Sequence, residues 1–135
     1  MDGMNPVFVV DDNESYRELV TLALQDHCGL EQVQGFGSAH ALRRHLDTPG
    51  IAHPALVLLD LHMPDVDGLA LLQEIRRRDP DLPVAFLSGA AGTHERDTCL
   101  AAGAMAFLRK PVAYGDLIRG LQGLVRSVGG AASGG

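Results

Sequence analysis

The sequence has few aromatic residues and no excess of positive charge. Among 135 residues there are no tryptophans, two tyrosines and four phenylalanines, so the core has to be aliphatic. Proteins that bind single-stranded nucleic acid stack the bases on aromatic side chains, and duplex-binding modules present a basic face to the phosphates. With a formal net charge of −6, the sequence predicts a protein that does not bind nucleic acid directly.

The sequence also lacks a membrane-spanning run and a cysteine framework. The first apolar run, Val7–Val10, follows no basic residue and is too short for a signal peptide or a membrane span. The two cysteines, Cys28 and Cys99, lie far apart and have no metal-binding spacing. These features predict a cytoplasmic protein that makes no contact with a membrane.

The remaining composition is that of one globular domain, with 46% hydrophobic and 21% charged residues. We expect a short lead over residues 1–6, one folded domain over residues 7–127, and a flexible glycine-rich tail or linker stub over residues 128–135.

Short apolar runs alternate with segments of helical periodicity along the whole domain. The first, third and fourth runs are continuously apolar, as strands covered by helices on both faces of a parallel sheet must be. The pattern predicts an α/β protein, a single doubly wound (βα)5 domain with a five-stranded parallel sheet of the flavodoxin-like kind. The runs are Val7–Val10, Gln32–Phe36, Ala55–Leu59, Pro83–Leu87 and Met105–Leu108.

Polar residues follow four of these five runs: Asp11 and Asp12, Asp60, Ser88, and Lys110. Ligand sites of open parallel sheets lie at the carboxyl ends of the strands, so we expect these side chains to meet. Two carboxylates ~5 Å apart repel by about 3 kcal/mol at an effective dielectric of ~20. The sequence therefore predicts either a strongly raised pKa or a bound cation, and all-oxygen ligands favour Mg²⁺, or Mn²⁺ in its place, as that cation.

A carboxylate, a hydroxyl and an ammonium beside Mg²⁺ are the groups that phosphoryl transfer to an aspartate requires. Asp60 can attack phosphorus, Lys110 can pair with one phosphoryl oxygen and Ser88 can donate a hydrogen bond to another. Lys110 is the only lysine in the chain, which otherwise uses arginine, and its compact ammonium suits this role.

Four motifs in order resemble those of the receiver (CheY-like) domains of two-component response regulators, and the resemblance runs from about Val7 to Arg126. The motifs are Val9-Val10-Asp11-Asp12, Leu58 to Gly68 around Asp60, Leu87-Ser88-Gly89-Ala90 and Phe107-Leu108-Arg109-Lys110-Pro111.

The resemblance implies a role for each matched position. Asp60 is then the phospho-acceptor, Lys110 the lysine of the site, and Ser88 the hydroxyl that turns toward the phosphoryl group. The implied metal ligands are Asp11, Asp12, Asp60 and the main-chain carbonyl of His62.

The resemblance also implies secondary roles around the site. Ser88 and Phe107 form a switch pair, and His62 and Ala90 tune the lifetime of the phosphoryl group. A cis peptide bond is implied between Lys110 and Pro111.

The implied function is signalling rather than enzymatic turnover of a substrate, apart from the chain's own phosphotransfer and autodephosphorylation. A sensor histidine kinase or histidine phosphotransfer protein would supply the phosphoryl group. The surface of the fourth helix, fifth strand and fifth helix would then act on an output domain or an effector protein, and a phosphorylation-dependent homodimer is compatible with this. The chain is expected to be either a stand-alone receiver or the amino-terminal part of a longer regulator.

The main alternative is a receiver-like interaction module that works without phosphorylation. A phosphatase of the haloacid-dehalogenase type would need an acid two residues after Asp60, where His62 stands. A flavodoxin-like electron carrier would need a loop that accepts phosphate after the first strand, where Asp11 and Asp12 would repel it.

Overall fold

The computed structural model describes residues 6–51, 53–89, 92–111 and 113–134, with side chains up to residue 128. In this part of the chain five strands alternate with five helices. The strands are β1 (Val7–Val10), β2 (Val33–Phe36), β3 (Leu56–Leu59), β4 (Val84–Ser88) and β5 (Ala106–Arg109). The helices are α1 (Glu14–His27), α2 (Ala39–Leu46), α3 (Gly68–Arg78), α4 (Thr93–Ala101) and α5 (Tyr114–Gly134).

All five strands pair in parallel in one sheet of order β2-β1-β3-β4-β5. From β1 the chain turns to the edge strand β2 and then crosses back to β3 on the other side of β1. The strand order thus reverses between β1 and β3, which is where a doubly wound sheet opens a crevice. The predicted (βα)5 parallel sheet is confirmed.

Alternate residues of the three central strands point into two separate apolar layers. In β1, Phe8 and Val10 face a layer formed with α2, α3 and α4, while Val7 and Val9 face a layer formed with α1 and α5. Every residue of β1, β3 and β4 is buried. Burial on both faces explains why these strands read as unbroken apolar runs in the sequence.

Polar residues just before the helices fix where α1, α2 and α3 begin. Asn13, Ser38 and Asp67 each accept a hydrogen bond at the side chain from a main-chain N–H in the first turn that follows. Helix α4 begins differently, because Gly92 occupies the capping position and its N–H donates to the Glu95 side chain at 3.3 Å. Thr93 is the first helical residue of α4.

The carboxyl end of the chain differs from its sequence-based prediction. The sequence predicts a flexible tail or linker stub over residues 128–135, whereas α5 continues to Gly134, and Gly135 lies outside the described residues. Adding a residue to an existing helix fixes one residue for one hydrogen bond, so a helix anchored by Leu117, Leu121 and Leu124 can extend through glycines that would not start one. Among the described residues no helix combines the length and the hydropathy needed to cross a membrane.

The loop after β3 closes tightly because Gly68 has no side chain. Its N–H donates to the Leu61 carbonyl at 2.8 Å, and a Cβ placed on it would lie 2.7 Å from the Asp60 carbonyl oxygen. The neighbouring atoms are backbone of the strand end that carries Asp60, so they cannot move aside without displacing that residue. The glycine thus sets the position of α3 against the sheet edge.

Gly68→Ala should destabilise the fold by about 1–3 kcal/mol, since overpacking against backbone has this cost. Urea unfolding followed by circular dichroism would measure the change. Gly123→Ala is the matched control: none of the described neighbouring atoms lies within 4 Å of a Cβ at that position in α5, so alanine should stabilise the fold by up to about 1 kcal/mol. Equal effects of both substitutions would contradict the close contact at Gly68.

Candidate functional site

The strand register brings the predicted site residues to one edge of the sheet. Beyond the strand ends, the Asp60 N–H donates to the Val10 carbonyl at 2.9 Å, and the Lys110 N–H donates to the Ser88 carbonyl at 2.8 Å. The sheet ladder therefore continues into the residues that carry the polar side chains. Asp11, Asp60, Ser88 and Lys110 come from four adjacent strands.

Three carboxylates meet at this edge. One oxygen from each of Asp11, Asp12 and Asp60 lies within 4.8 Å of the others. Asp11 and Asp60 are only 4% and 7% exposed, while Asp12 faces solvent. Two buried carboxylates at this separation need positive charge close by.

Lys110 supplies that charge within the protein itself. Its Nζ lies 2.8 Å from Asp11 Oδ2 and 3.5 Å from Asp60 Oδ2, and the lysine side chain is 17% exposed. The ammonium is therefore closer to Asp11 than to Asp60. The other oxygen of Asp11, Oδ1, accepts the Asn13 N–H at 2.9 Å, so both oxygens of this carboxylate have partners.

Arg17 fixes the main chain of the acidic pair. From α1 its Nη1 donates to the Asp11 carbonyl at 2.7 Å. The side chain crosses Gly35 and Gly37 at the end of β2, where an added Cβ would lie 3.0 Å and 3.3 Å from arginine atoms. Because these two glycines have no side chains, the Arg17 side chain can pass over them and reach the Asp11 carbonyl.

The electrostatics of the site act most strongly on Asp60. Burial raises the pKa of this carboxyl, and the charges of Asp11 and Asp12 raise it further. The Lys110 ammonium and the His62 N–H, which donates to Asp60 Oδ1 at 3.3 Å, oppose the rise but do not cancel it. The folded protein therefore disfavours the ionised form of Asp60. A bound cation or a covalent change at this carboxylate would remove that penalty.

The Ser88 hydroxyl is buried at the end of β4. The residue is 1% exposed, and its Oγ has no hydrogen-bond partner among the described residues. A cavity of about 190 Å³ lies beside it, lined also by Phe107 of β5 and by the start of α4. Phe107 is half-buried, with its ring centroid 6.0 Å from that of Phe86. A buried hydroxyl without a hydrogen-bond partner destabilises the fold by about 1–3 kcal/mol, and a hydrogen-bond acceptor placed beside it would remove this penalty.

The other predicted positions have different outcomes. His62 follows Asp60 closely, and its Nε2 lies 3.5 Å from Glu95 Oε2 of α4. Ala90 lies outside the described residues, so its role stays a prediction.

The predicted cis bond before Pro111 is wrong for this structure: the described backbone has no cis peptide, and the Lys110–Pro111 bond is trans. The trans form is intrinsically favoured by about 0.5–1 kcal/mol, and the long lysine stem reaches both carboxylates from it.

Sequence reasoning missed three side chains that belong to the site. Arg17 reaches the Asp11 carbonyl, Glu95 contacts His62, and the Tyr16 ring lies under the Lys110 ammonium. Tyr16 and Arg17 lie four and five residues after Asp12, on the first turns of a predicted helix that starts at the site. Their place on these first turns was the one signal in the sequence that they belong to the site, because side chains there face back toward the strand ends.

The donor set at this edge fits a hard divalent cation. Its side chains offer carboxylate oxygens and no thiol, which matches the preference of Mg²⁺ for oxygen ligands. The exposed Asp12 leaves one side of the cluster open to solvent, and Mg²⁺ usually keeps several waters. The residues present therefore could hold the metal that the sequence predicts.

An open parallel sheet of order β2-β1-β3-β4-β5 with acidic residues after β1 and β3 defines a CheY-like receiver fold. The family model of the response regulator receiver domain matches residues 7–122. The chain belongs to this family, whose members are signalling modules of two-component systems.

Curated relatives agree with the family. The transcriptional regulatory protein CssR of Bacillus subtilis is 31% identical over 122 residues, 90% of this chain and 52% of the relative. The virulence transcriptional regulatory protein PhoP of Salmonella typhimurium is 32% identical over 134 residues, 96% of this chain and 56% of the relative. The chain thus spans about half the length of these relatives.

Solved structures agree with the fold. The receiver domain of NtrX from Brucella abortus is 30% identical, with a TM-score of 0.74, and the match covers 89% of this chain and 98% of that one. A CheY-like receiver domain protein from Methanospirillum hungatei gives a TM-score of 0.77 at 21% identity, with 93% and 97% covered. The second match shows the fold alone.

The raised pKa of Asp60 predicts how stability depends on pH in metal-free buffer. As the pH rises above the ordinary value of 3.8, the unfolded chain loses this proton first, so stability falls until the folded carboxyl has ionised too. Asp60→Asn removes the effect. It should therefore melt at a higher temperature than the unmodified protein at pH 7.

Thermal unfolding in EDTA across pH 4–7 would measure this difference, which should shrink toward the acid end. Asp26→Asn, at an exposed position of α1, is the control and should change the melting temperature little at either pH. A lower melting temperature for Asp60→Asn at pH 7 would show that the carboxylate stabilises the fold.

Proposed function

We propose that Asp60 accepts a phosphoryl group from a sensor histidine kinase or a histidine phosphotransfer protein in a Mg²⁺-dependent reaction. The observation that carries this is that Asp60, a lysine ammonium, two further carboxylates and the buried Ser88 hydroxyl meet at one edge of the sheet, where that hydroxyl has no hydrogen-bond partner among the described residues. Phosphoryl transfer to a carboxylate needs a nucleophile, a cation and donors to the phosphoryl oxygens, and each of these groups is present.

In the proposed reaction an Asp60 carboxylate oxygen forms a bond to phosphorus while the bond from phosphorus to the donor breaks. The donor's leaving group, an imidazole nitrogen in the case of phosphohistidine, keeps the electron pair. Lys110 neutralises one phosphoryl oxygen, and Ser88 donates its hydroxyl proton in a hydrogen bond to another. Bound Mg²⁺ would supply further charge neutralisation and orientation, held by Asp11, Asp12, Asp60 and the main-chain carbonyl of His62.

The metal would also change the partners of Lys110. In the structure the ammonium is the main counter-charge of Asp11, at 2.8 Å. With a metal held by Asp11, Asp12 and Asp60, Lys110 would no longer be needed as the counter-charge of Asp11, and its ammonium could pair with the phosphoryl group on Asp60. We therefore propose that Lys110 exchanges one anionic partner for another in the course of the reaction.

The proposed switch connects the site to the surface formed by α4, β5 and α5. When Ser88 turns toward the phosphoryl group, Phe107 can move into the cavity that they both line. That movement would change the outer face of β5 and the contacts of α4. The phosphoryl group thus shifts an equilibrium between two packings of the same elements.

The signal would pass to an output domain or an effector protein. The names of the CssR and PhoP relatives describe whole proteins that regulate transcription, and the chain matches about half of each. A phosphorylation-dependent homodimer through the same surface is part of this proposal, as are a cytoplasmic location, slow autodephosphorylation, and tuning of the phosphoryl lifetime by His62 and Ala90. The alternative remains a receiver-like module that binds partners without phosphorylation.

Intact-mass analysis with acetyl phosphate as donor tests the chemistry. The unmodified protein should gain one phosphoryl group when Mg²⁺ is present and none in EDTA, because the carboxylate cluster repels the donor without the metal. Asp60→Asn should gain none, whereas the control Asp26→Asn should react like the unmodified protein. A phosphoryl group retained by Asp60→Asn would place the acceptor elsewhere. If the unmodified protein shows neither an adduct nor a spectral response to fluoroberyllate, the interaction module is favoured.

Ser88→Ala should separate the chemistry from the switch. The variant keeps Asp60, Lys110 and the acidic pair, so it should still form a Mg²⁺-dependent adduct. Without the hydroxyl, the amide chemical-shift changes that fluoroberyllate induces in α4, β5 and α5 should fall by roughly half or more, since one charge-assisted hydrogen bond contributes about 1.5–3 kcal/mol to the shifted state. Full shift changes in the variant would remove Ser88 from the switch.

A further inference from the structure

The ring of Tyr16 lies directly against the ammonium of Lys110. The Lys110 Nζ is 4.5 Å from the centroid of the ring, within the ~6 Å over which a cation is attracted to an aromatic face. The same ammonium forms the ion pairs with Asp11 and Asp60. One side chain of the first helix thus contacts the group that compensates the charge of the whole site.

Local structure holds the ring in this place. The Tyr16 N–H donates to Asn13 Oδ1 at 3.0 Å, and this bond caps α1 directly after the acidic pair. The side chain packs against the apolar layer between the sheet and helices α1 and α5. Burial, with the charges of Asp11 and Asp60, raises the pKa of the phenol to about 12, so the ring stays neutral at physiological pH.

The ring matters most at the moment when the carboxylates stop holding Lys110. With a divalent cation held by Asp11, this carboxylate would no longer need its ion pair with the ammonium, and phosphorylation would convert the Asp60 carboxylate into an acyl phosphate. The attraction of the aromatic face survives both changes, since it depends on neither carboxylate.

We propose that Tyr16 is a positioning residue, whose ring keeps the Lys110 ammonium at the sheet edge while its anionic partners change. The proposal rests on the role given above to Lys110 in phosphoryl transfer. A flexible four-carbon stem otherwise lets the ammonium move out into water, where it is strongly hydrated. The ring restricts that freedom before the phosphodonor arrives, which is a form of preorganisation.

The hydroxyl of Tyr16 is separate from this role. It is buried and has no hydrogen-bond partner among the described residues, so a phenylalanine ring could occupy the same space without that cost. Tyr16→Phe therefore keeps the positioning face and should preserve the function. Tyr16→Leu keeps an apolar side chain and removes the face, and Tyr16→Met serves the same purpose if the leucine variant folds poorly.

Because Lys110 is the only lysine, growth on ¹³C,¹⁵N-lysine labels this one side chain. Protons on the lysine Cε carbon should be shifted upfield by the ring current in the unmodified protein and in Tyr16→Phe. In Tyr16→Leu they should return to the position seen in the unfolded chain. The control is Tyr114→Leu, which removes the other tyrosine of the chain, a half-exposed ring against His27, and should leave the Lys110 signal unchanged.

Rates of phosphorylation by acetyl phosphate complete the test, with thermal unfolding used to confirm that each variant is folded. Tyr16→Leu should react about fivefold more slowly, the effect expected from losing ~1 kcal/mol of cation–π attraction, while Tyr16→Phe stays within about twofold of the unmodified protein. An upfield shift that survives in the leucine and methionine variants would overturn the proposal, and so would a normal rate in a folded variant that has lost the shift. If the unmodified protein itself takes no phosphoryl group, the proposed function fails and this role falls with it.

Discussion

Mutual repulsion of the carboxylates is the constraint on which the site depends. Asp11 and Asp60 are buried within a few ångströms of each other because β1 and β3 are neighbours in register, so the fold itself forces the charges together. The ammonium of Lys110 and the N–H groups that donate to carboxylate oxygens reduce this repulsion. The part that they do not compensate contributes to the raised pKa of Asp60. A site with this much unbalanced negative charge favours the binding of a cation, and its Asp60 carboxylate is already largely removed from water.

The sequence predicts most of the fold because burial on both faces leaves a simple pattern. In a chain with helical segments between them, the fully apolar runs of β1, β3 and β4 predict strands buried in a parallel sheet. Each of the five strands begins and ends within one residue of its predicted position. The edge strands β2 and β5 are only partly buried, so their signal is weaker, yet the alternation of elements still locates them. The polar residues at the strand ends then follow from topology, since parallel strands end at one edge.

What the sequence could not predict depends on side-chain reach across elements. Whether Arg17 passes over Gly35 to a carbonyl, or Tyr16 lies under Lys110, is decided by three-dimensional packing that no periodicity encodes. The helical continuation of α5 beyond residue 127 is a matter of helix propagation, which composition alone reads as a flexible tail. The trans bond before Pro111 shows that a family feature carried over by resemblance need not hold in this structure.

The site draws its carboxylates from the middle of the sheet and its ammonium from the edge. Strands β1 and β3 are buried and paired on both sides, whereas β5 is partly exposed and pairs only with β4. Local unfolding costs least at such an edge, so amide protons of β5 should exchange sooner than those of the central strands. Each opening of β5 would carry Lys110 away from an intact acidic cluster. Any anion held by Lys110 therefore also protects the edge strand from opening. By mass action, amide exchange in β5 should slow as the occupancy of the site rises.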